Sequence, residues 1–106
     1  MDERSGAVNF AYLDEFTAGD KHLVREVLKV FCAEAVEWGE RLDSDPENWA
    51  RVIHTMKGTS RSIGADRLGD LCQQAEATGP QALPGVRAEL DKVIAEVRAY
   101  LESDVS

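Results

Sequence analysis

The residue types between positions 54 and 61 could together perform chemistry at a protein surface, in the run His54-Thr55-Met56-Lys57-Gly58-Thr59-Ser60-Arg61. At about 100° per residue of an ideal helix, His54 lies roughly 150° from the middle of the adjacent apolar stripe, so its imidazole faces solvent. Lys57 and Gly58 lie beside the ring, and Arg61 lies one turn further. The stripe consists of Trp49, Val52, Ile53, Met56, Ser60 and Ile63. An exposed imidazole is a nucleophile and can carry a phosphoryl group. Lys57 would attract the oxygens of that group during transfer.

Gly58 is unexpected in a helix, where a glycine costs about 1 kcal/mol relative to alanine. The apolar pattern does not require it, because this position lies on the side away from the core. A bulky side chain here would crowd one flank of the imidazole. We therefore interpret Gly58 as clearance that leaves His54 open to a large partner.

Glu76 is the residue that we expect to orient the histidine. His54 lies ten residues before Gly64, and Glu76 lies twelve residues after it. If the helices on either side of Gly64 run antiparallel, a rise of about 1.5 Å per residue puts both side chains roughly 15–18 Å from the turn. A carboxylate at that level can accept a hydrogen bond from one ring nitrogen and leave the lone pair of the other exposed. Spacing alone equally allows an exposed Glu76 without a partner.

Other site chemistries lack the residues that they need. Hydrolytic triads require a serine or cysteine nucleophile in a pocket, and neither is evident. Zinc sites require several ligands, whereas only His22 accompanies His54, and we interpret His22 as an exposed bystander. No Walker loop, Rossmann glycine run or HExxH motif is present. We therefore expect neither a nucleotide site nor a metal site in this chain.

The charge of the chain restricts its partners. A net charge of −8 argues against nucleic acid as the main partner. The segment 51–67 departs from this balance, because a single acidic residue, Asp66, accompanies its four cations. Those cations are Arg51, Lys57, Arg61 and Arg67. Such a basic island suits an acidic or phosphorylated partner surface, and the alternative is a solvated helix face that happens to be basic.

The length and the cysteines indicate one domain, residues 1–106, in a reducing compartment. Cys32 and Cys72 lack CxxC spacing and lie on or beside apolar stripes, so we interpret them as free thiols of the core. The charged amino end is not followed by a long apolar run, so we predict neither a secretory signal nor contact with a membrane. We therefore expect a cytoplasmic protein, and a monomer, because no dimer seam is visible.

Apolar residues at helical spacing predict an all-α fold. The predicted helices are residues 9–17, 21–42, the stretch from the 44–47 start to about 62, 65–78 and 83–101. Asp20 can cap the second helix. Ser44 or Asp45 can cap the third, and Ser44 with Glu47 has the spacing of a capping box. Short connections favour antiparallel neighbours, so we predict an antiparallel four-helix bundle with a short N-terminal lead-in helix. From Ser103 the chain is expected to fray.

A resemblance to a known family extends over 23 consecutive positions. The signature of histidine-containing phosphotransfer (HPt) domains of two-component phosphorelays is similar to the run His54-x-Met56-Lys57-Gly58-x-Ser60-x-x-Ile63-Gly64-Ala65-x-x-Leu68-x-x-x-Cys72-x-x-x-Glu76. The helix pattern resembles the family along essentially the whole chain. Met56 replaces a common leucine and Ala75 a larger apolar residue, but both positions face the core and leave the chemistry unchanged.

The resemblance implies a role for each residue around the histidine. His54 would be phosphorylated on its outer imidazole nitrogen, and Lys57 would assist the phosphoryl group. Gly58 would give clearance to a receiver domain. Ser60 matches the small residue of the family where two helices approach, and Glu76 falls where the family has a glutamine or glutamate that orients the histidine.

The implied partners are receiver domains of response regulators and of hybrid histidine kinases. A phosphoaspartate on one receiver would give its phosphoryl group to His54, which would pass it to an aspartate of another receiver. The basic face with Arg51 and Arg61 would dock on the receiver's acidic pocket, whose carboxylates, and not this chain, would bind Mg²⁺. The protein would be a phosphoryl carrier and not an enzyme, with no cofactor and no autokinase activity.

Two other functions stay open at this point. One is a non-catalytic helical adaptor that binds and sequesters receiver domains. The other is a kinase dimerisation domain, which also presents a phosphohistidine on a helix. Such a domain normally precedes an ATP-binding domain, and none follows in this sequence.

Overall fold

This computed structural model describes residues 6–103 of the chain. They contain five α-helices and two short 3-10 turns. The helices are α1 (Phe10–Phe16), α2 (Lys21–Ser44), α3 (Trp49–Ser62), α4 (Asp66–Thr78) and α5 (Leu83–Ser103). The turns Pro46–Asn48 and Pro80–Ala82 lead into α3 and α5. Helix α5 includes Ser103, so the predicted fraying is wrong at this residue. The rest of that prediction, residues 104–106, and the charged amino end, residues 1–4, lie outside the described part.

Helices α2 to α5 form a four-helix bundle in which each helix packs against two neighbours. Helix α2 contacts α3 and α5, and α4 contacts the same two helices. Arg25 near the start of α2 donates to the carbonyl of Leu101, and Arg87 near the start of α5 donates to the carbonyl of Gly39, so α2 and α5 run antiparallel. The predicted antiparallel bundle with a lead-in helix is confirmed. None of the helices in residues 6–103 has both the length and the apolar character needed to cross a membrane.

The core determines which way α3 faces. Each long helix contributes a buried apolar stripe, with fully buried members at Leu28, Ile53, Met56, Leu68 and Leu90. Each such side chain stabilises the fold by roughly 1.5–3 kcal/mol relative to an exposed one. Because α3 buries Ile53 and Met56, its opposite surface carries His54, as predicted.

The helix starts agree only partly with their predicted caps. Asp20 caps α2 as predicted, because its carboxylate accepts a hydrogen bond of 3.0 Å from the backbone N–H of Leu23. The predicted capping box of Ser44 and Glu47 is wrong. Ser44 is still the last residue of α2, and Asp45 bonds back into that helix before the 3-10 turn begins. Backbone bonding thus continues past the last apolar position of α2, and Ser44 does not serve as a cap for α3.

The segment before α1 ties α5 to the turn between α3 and α4. Glu96 of α5 accepts hydrogen bonds from the backbone N–H groups of Ala7 and Val8, at 2.7 and 3.0 Å. The next residue, Asn9, donates to the carbonyl of Gly64 at 3.0 Å. Gly64 has a φ of 84°, and a Cβ there would meet the carbonyl oxygen of Asn9 at 2.9 Å. Only glycine fits this left-handed, crowded position, which sets how α4 leaves α3.

Both cysteines are free thiols, as predicted. Cys32 is half-buried, whereas Cys72 is fully buried between α4 and its neighbours. Burial, reinforced by the nearby charge of Glu76, raises the pKa of the Cys72 thiol to about 12. A thiol with that pKa stays protonated at neutral pH, so Cys72 acts as a small core residue and not as a nucleophile.

We predict that Ser60→Ala stabilises the protein. The Ser60 hydroxyl is fully buried and has no hydrogen-bond partner among residues 6–103. Removing an unsatisfied buried polar group should raise the free energy of unfolding by about 1 kcal/mol. Chemical denaturation measures this change. Ser62→Ala is the matched control, because Ser62 lies in the same helix but is exposed and donates to the carbonyl of Thr59. If the two variants raise the free energy of unfolding equally, the gain comes from the higher helix propensity of alanine. That result would contradict the prediction.

Candidate functional site

His54 lies on the exposed face of α3 with one ring nitrogen held by α4. Its side chain is 76% exposed, and its Nδ1 lies 3.1 Å from Oε2 of Glu76. The predicted contact between the two residues is therefore present. It follows from the antiparallel pairing of α3 and α4 across Gly64, which brings the two positions level.

The charge of Glu76 determines which nitrogen of His54 carries the proton. The hydrogen bond from Lys57, followed by the one from His54, keeps the pKa of the Glu76 carboxyl below its ordinary value. An ionised carboxylate can only accept, so the hydrogen in the His54 contact must lie on Nδ1. The lone pair of the neutral imidazole is then on Nε2, the ring nitrogen on the other side from Glu76.

Lys57 shares the same carboxylate. Its Nζ lies 2.6 Å from Oε1 of Glu76, and its side chain is 24% exposed. Glu76 therefore uses one oxygen for the lysine and the other for the histidine. An ammonium has three donors, so this contact leaves Lys57 with further capacity for an anion. The ion pair itself was not predicted, because it depends on the register between two helices.

We predict that the Glu76 contacts stabilise the fold only while the carboxylate is ionised. The pKa of Glu76 is lower in the fold than its ordinary value, so this stability is complete above the ordinary glutamate pKa of about 4.3. It is lost as the pH falls through the lowered pKa. Chemical denaturation of the wild type and Glu76→Gln between pH 7 and pH 3 measures the effect. The variant should be the less stable at pH 7, and the difference should disappear at low pH; a difference independent of pH would contradict the prediction.

Gly58 leaves an open space beside the imidazole. Beyond its chain neighbours and the backbone of its own helix, a Cβ at this position would meet no atom of the described residues within 4 Å. Packing within the chain therefore does not require glycine, which agrees with the interpretation of Gly58 as clearance for a partner. Arg51 lies on the same exposed surface, one turn before His54, and has no ion pair among residues 6–103.

The predicted basic island exists along the chain but not in three dimensions. Carboxylates of α4 and α5 lie beside three of its four cations, and only Arg51 is left without one in the described residues. Local sequence cannot show which side chains a neighbouring helix brings close, and the docking of this face on a partner stays a prediction. The ion pairs join Lys57 with Glu76 at 2.6 Å, Arg61 with Asp70 at 3.0 Å and Arg67 with Glu89 at 3.8 Å.

An apolar groove between α2 and α3 was missed by the sequence reasoning. Its volume is about 340 Å³, and the exposed valine Val30 lies on its wall. The α3 residues of the groove, Thr59 and Ser62, lie on the Gly58 side of the helix and not on the Lys57 side. The available signal was Val30 itself, an apolar residue next to the buried stripe of α2. The groove is lined by Glu26, Val27, Val30, Phe31, Glu34, Thr59, Ser62 and Ile63.

The donor set of the described residues does not resemble a metal centre. Within residues 6–103, no three histidine, cysteine, aspartate or glutamate side chains come together as a metal ion would require. Glu76 is the only carboxylate that contacts His54 in this part of the chain.

Comparisons with known proteins agree with this geometry. The family model described as Hpt domain matches residues 26–100. The chain is similar to histidine phosphotransferase ShpA from Caulobacter crescentus, a protein of known crystal structure. The two sequences are 42% identical, and the two structures superimpose with a TM-score of 0.85. The match covers 92% of this chain and 93% of that one. No curated protein matches the chain. The exposed histidine, the bundle that carries it and the family match lead to one conclusion: the chain belongs to the Hpt domain family, and its role is that of a phosphorelay intermediate.

Proposed function

We propose that His54 is the residue that carries the phosphoryl group, and that it does so on Nε2. The observation that carries this proposal is the contact between Nδ1 of His54 and the Glu76 carboxylate, at 3.1 Å, on a ring that is 76% exposed. It leaves the nucleophilic lone pair on the nitrogen that a partner can reach. The roles of Lys57 and Glu76 as phosphoryl-stabilising and orienting residues belong to the same proposal.

The transfer step needs no proton from solvent. The Nε2 lone pair attacks the phosphorus of a receiver phosphoaspartate, and the N–P bond forms as the bond from phosphorus to the aspartate oxygen breaks. The aspartate leaves as a carboxylate and takes the bonding electron pair. The imidazole retains its Nδ1 proton, so the phosphorylated ring is cationic, and the Glu76 carboxylate stabilises that charge. In the second transfer another aspartate attacks the phosphorus, and the electron pair returns to Nε2.

Lys57 and the partner's metal ion would share the charge of the phosphoryl group. Lys57 lies one turn from His54 and keeps donors beyond its contact with Glu76. Mg²⁺ would be bound by the carboxylates of the receiver, so this chain needs no cofactor of its own. The transferring oxygens would then lie between a cation from each protein.

The surface around Gly58 is the one that we assign to the receiver. Gly58 offers open space, and the groove beside Val30 offers an apolar surface. Arg51 offers a cation that has no ion pair among residues 6–103. All three lie on the flank of His54 away from α4. The docking surface is therefore less basic than the sequence suggests, since Glu26 and Glu34 line the groove.

The proposal extends to the partners, the oligomeric state and the location of the protein. Hpt domains interact with receiver domains, and we propose response regulators and hybrid histidine kinases as the sources of these receivers. We propose a monomeric cytoplasmic carrier that neither binds nucleic acid or membranes nor phosphorylates itself from ATP. A non-catalytic adaptor that sequesters receivers is the second candidate, because the groove between α2 and α3 supports docking without chemistry.

Phosphoryl transfer from isolated receiver domains tests the proposal. Candidate receivers are labelled on their aspartate, freed of donor and mixed with this protein. We expect label to move to the protein in an acid-labile, base-stable form, as a phosphohistidine requires, and ATP alone should give no label. Receiver binding without any labelling would support the adaptor and overturn the proposal.

A further inference from the structure

Arg61 contacts α4 through its guanidinium, while its side chain stays 42% exposed. Its guanidinium Nη2 donates to Oδ1 of Asp70 at 3.0 Å and to Oε1 of Gln73 at 2.8 Å. The two acceptors lie one turn apart on α4, so one side chain of α3 bridges a full turn of the neighbouring helix. The partner-binding role that the sequence suggested for Arg61 stays a prediction beside these contacts.

Gly69 explains how Arg61 reaches this position. Gly69 is buried within α4, where glycine costs about 1 kcal/mol relative to alanine. A Cβ on Gly69 would lie 2.6 Å from Cγ and 2.9 Å from Nε of Arg61. The stem of Arg61 therefore lies directly across the backbone of α4, in space that only a residue without a side chain leaves free. Gly58 and Gly69 thus have opposite surroundings, since Gly58 has open space and Gly69 is covered.

The Arg61 contacts lie next to the site along the same seam. Gln73 precedes Glu76 by one turn of α4, and Arg61 follows Lys57 by one turn of α3, about 4.5–6 Å along each axis. A hydrogen bond of 3.1 Å is lost once the atoms are more than about 3.5 Å apart. A shift of α4 along α3 therefore weakens the contact of Glu76 with His54, because the two side chains must then leave their present geometry to meet.

We infer that Arg61 is a positioning residue, which fixes the register of α4 against α3 and thereby holds Glu76 on Nδ1 of His54. The inference deepens the proposed function and rests on the role of His54 given there. Arg61 acts through Glu76 and does not touch the phosphoryl group. An isolated ion pair at a surface usually contributes little. The bond to a second acceptor and the stem packed over Gly69 distinguish this contact from such a pair.

The tautomer of His54 provides a test that does not depend on phosphorylation. Nitrogen chemical shifts at pH 9, where an imidazole is neutral, measure the ratio of the Nδ1–H to the Nε2–H form. Arg61→Met retains an unbranched stem but removes both hydrogen bonds, and Gly69→Ala displaces the stem. We expect each variant to lower the ratio about threefold, the effect of losing one exposed hydrogen bond. His22 gives an internal reference in the same spectrum.

Arg67→Met is the matched control, because it removes the same charge from an exposed arginine of α4 that faces α5. It should leave the His54 tautomer ratio unchanged. An unchanged ratio in Arg61→Met or in Gly69→Ala, or an equal fall in Arg67→Met, would overturn the inference. Labelling from receivers separates the two proposals: an unlabelled wild type contradicts the proposed function, whereas a labelled protein with an unchanged tautomer in Arg61→Met contradicts only the role of Arg61.

Discussion

A His54→Gln variant is expected to remain folded and to accept no phosphoryl group from a phosphorylated receiver. The side chain is 76% exposed and contacts only Glu76 among the described residues, so its loss should change the free energy of unfolding by less than about 0.5 kcal/mol. Glutamine has no nucleophilic ring nitrogen, so labelling should fall to background. Transfer assays with labelled receivers, together with thermal unfolding followed by circular dichroism, measure the two effects.

His22→Gln is the control for this experiment. His22 is the second histidine of the chain and lies exposed at the start of α2. Its replacement should leave labelling at the level of the wild type. If labelling persists in His54→Gln and disappears in His22→Gln, the phosphorylated residue is His22 and not His54. That result would contradict the mechanism.

A Gly58→Gln variant should fold normally but accept the phosphoryl group about 100-fold more slowly, because a long side chain beside the ring displaces the receiver from its reactive position. The structure offers space for the side chain itself, since a Cβ at this position would meet no other atom of residues 6–103 within 4 Å beyond its chain neighbours and the backbone of α3. Glutamine is also a better helix former than glycine, so stability should not fall. Rapid mixing with a labelled receiver measures the rate.

Gly85→Gln provides a matched change elsewhere on the bundle. Gly85 is helical and equally open, but it belongs to α5, which does not pack against α3 as a neighbour. Transfer to this variant should proceed at the wild-type rate. If Gly58→Gln is as fast as the wild type, Gly58 does not provide clearance; if Gly85→Gln is equally slow, the cause is not obstruction beside His54.

The sequence determined the helices and the direction in which the central histidine faces. Both follow from periodicity, because the burial of Ile53 and Met56 orients every other residue of α3. The position of Glu76 opposite His54 was also predictable. It requires only a constant rise per residue and an antiparallel turn at Gly64. Gly58 was identified by its helix penalty, a signal that is equally present at Gly69.

Contacts between helices were decided by the tertiary structure alone. The ion pair of Lys57 with Glu76, the bridge from Arg61 over Gly69 and the groove beside Val30 all depend on how far one helix is shifted along and rotated against the next. Local periodicity contains no information on that register, which the packed core and the glycine turn fix together. For the same reason a segment that is basic along the chain became a largely neutralised surface when α4 and α5 supplied their carboxylates.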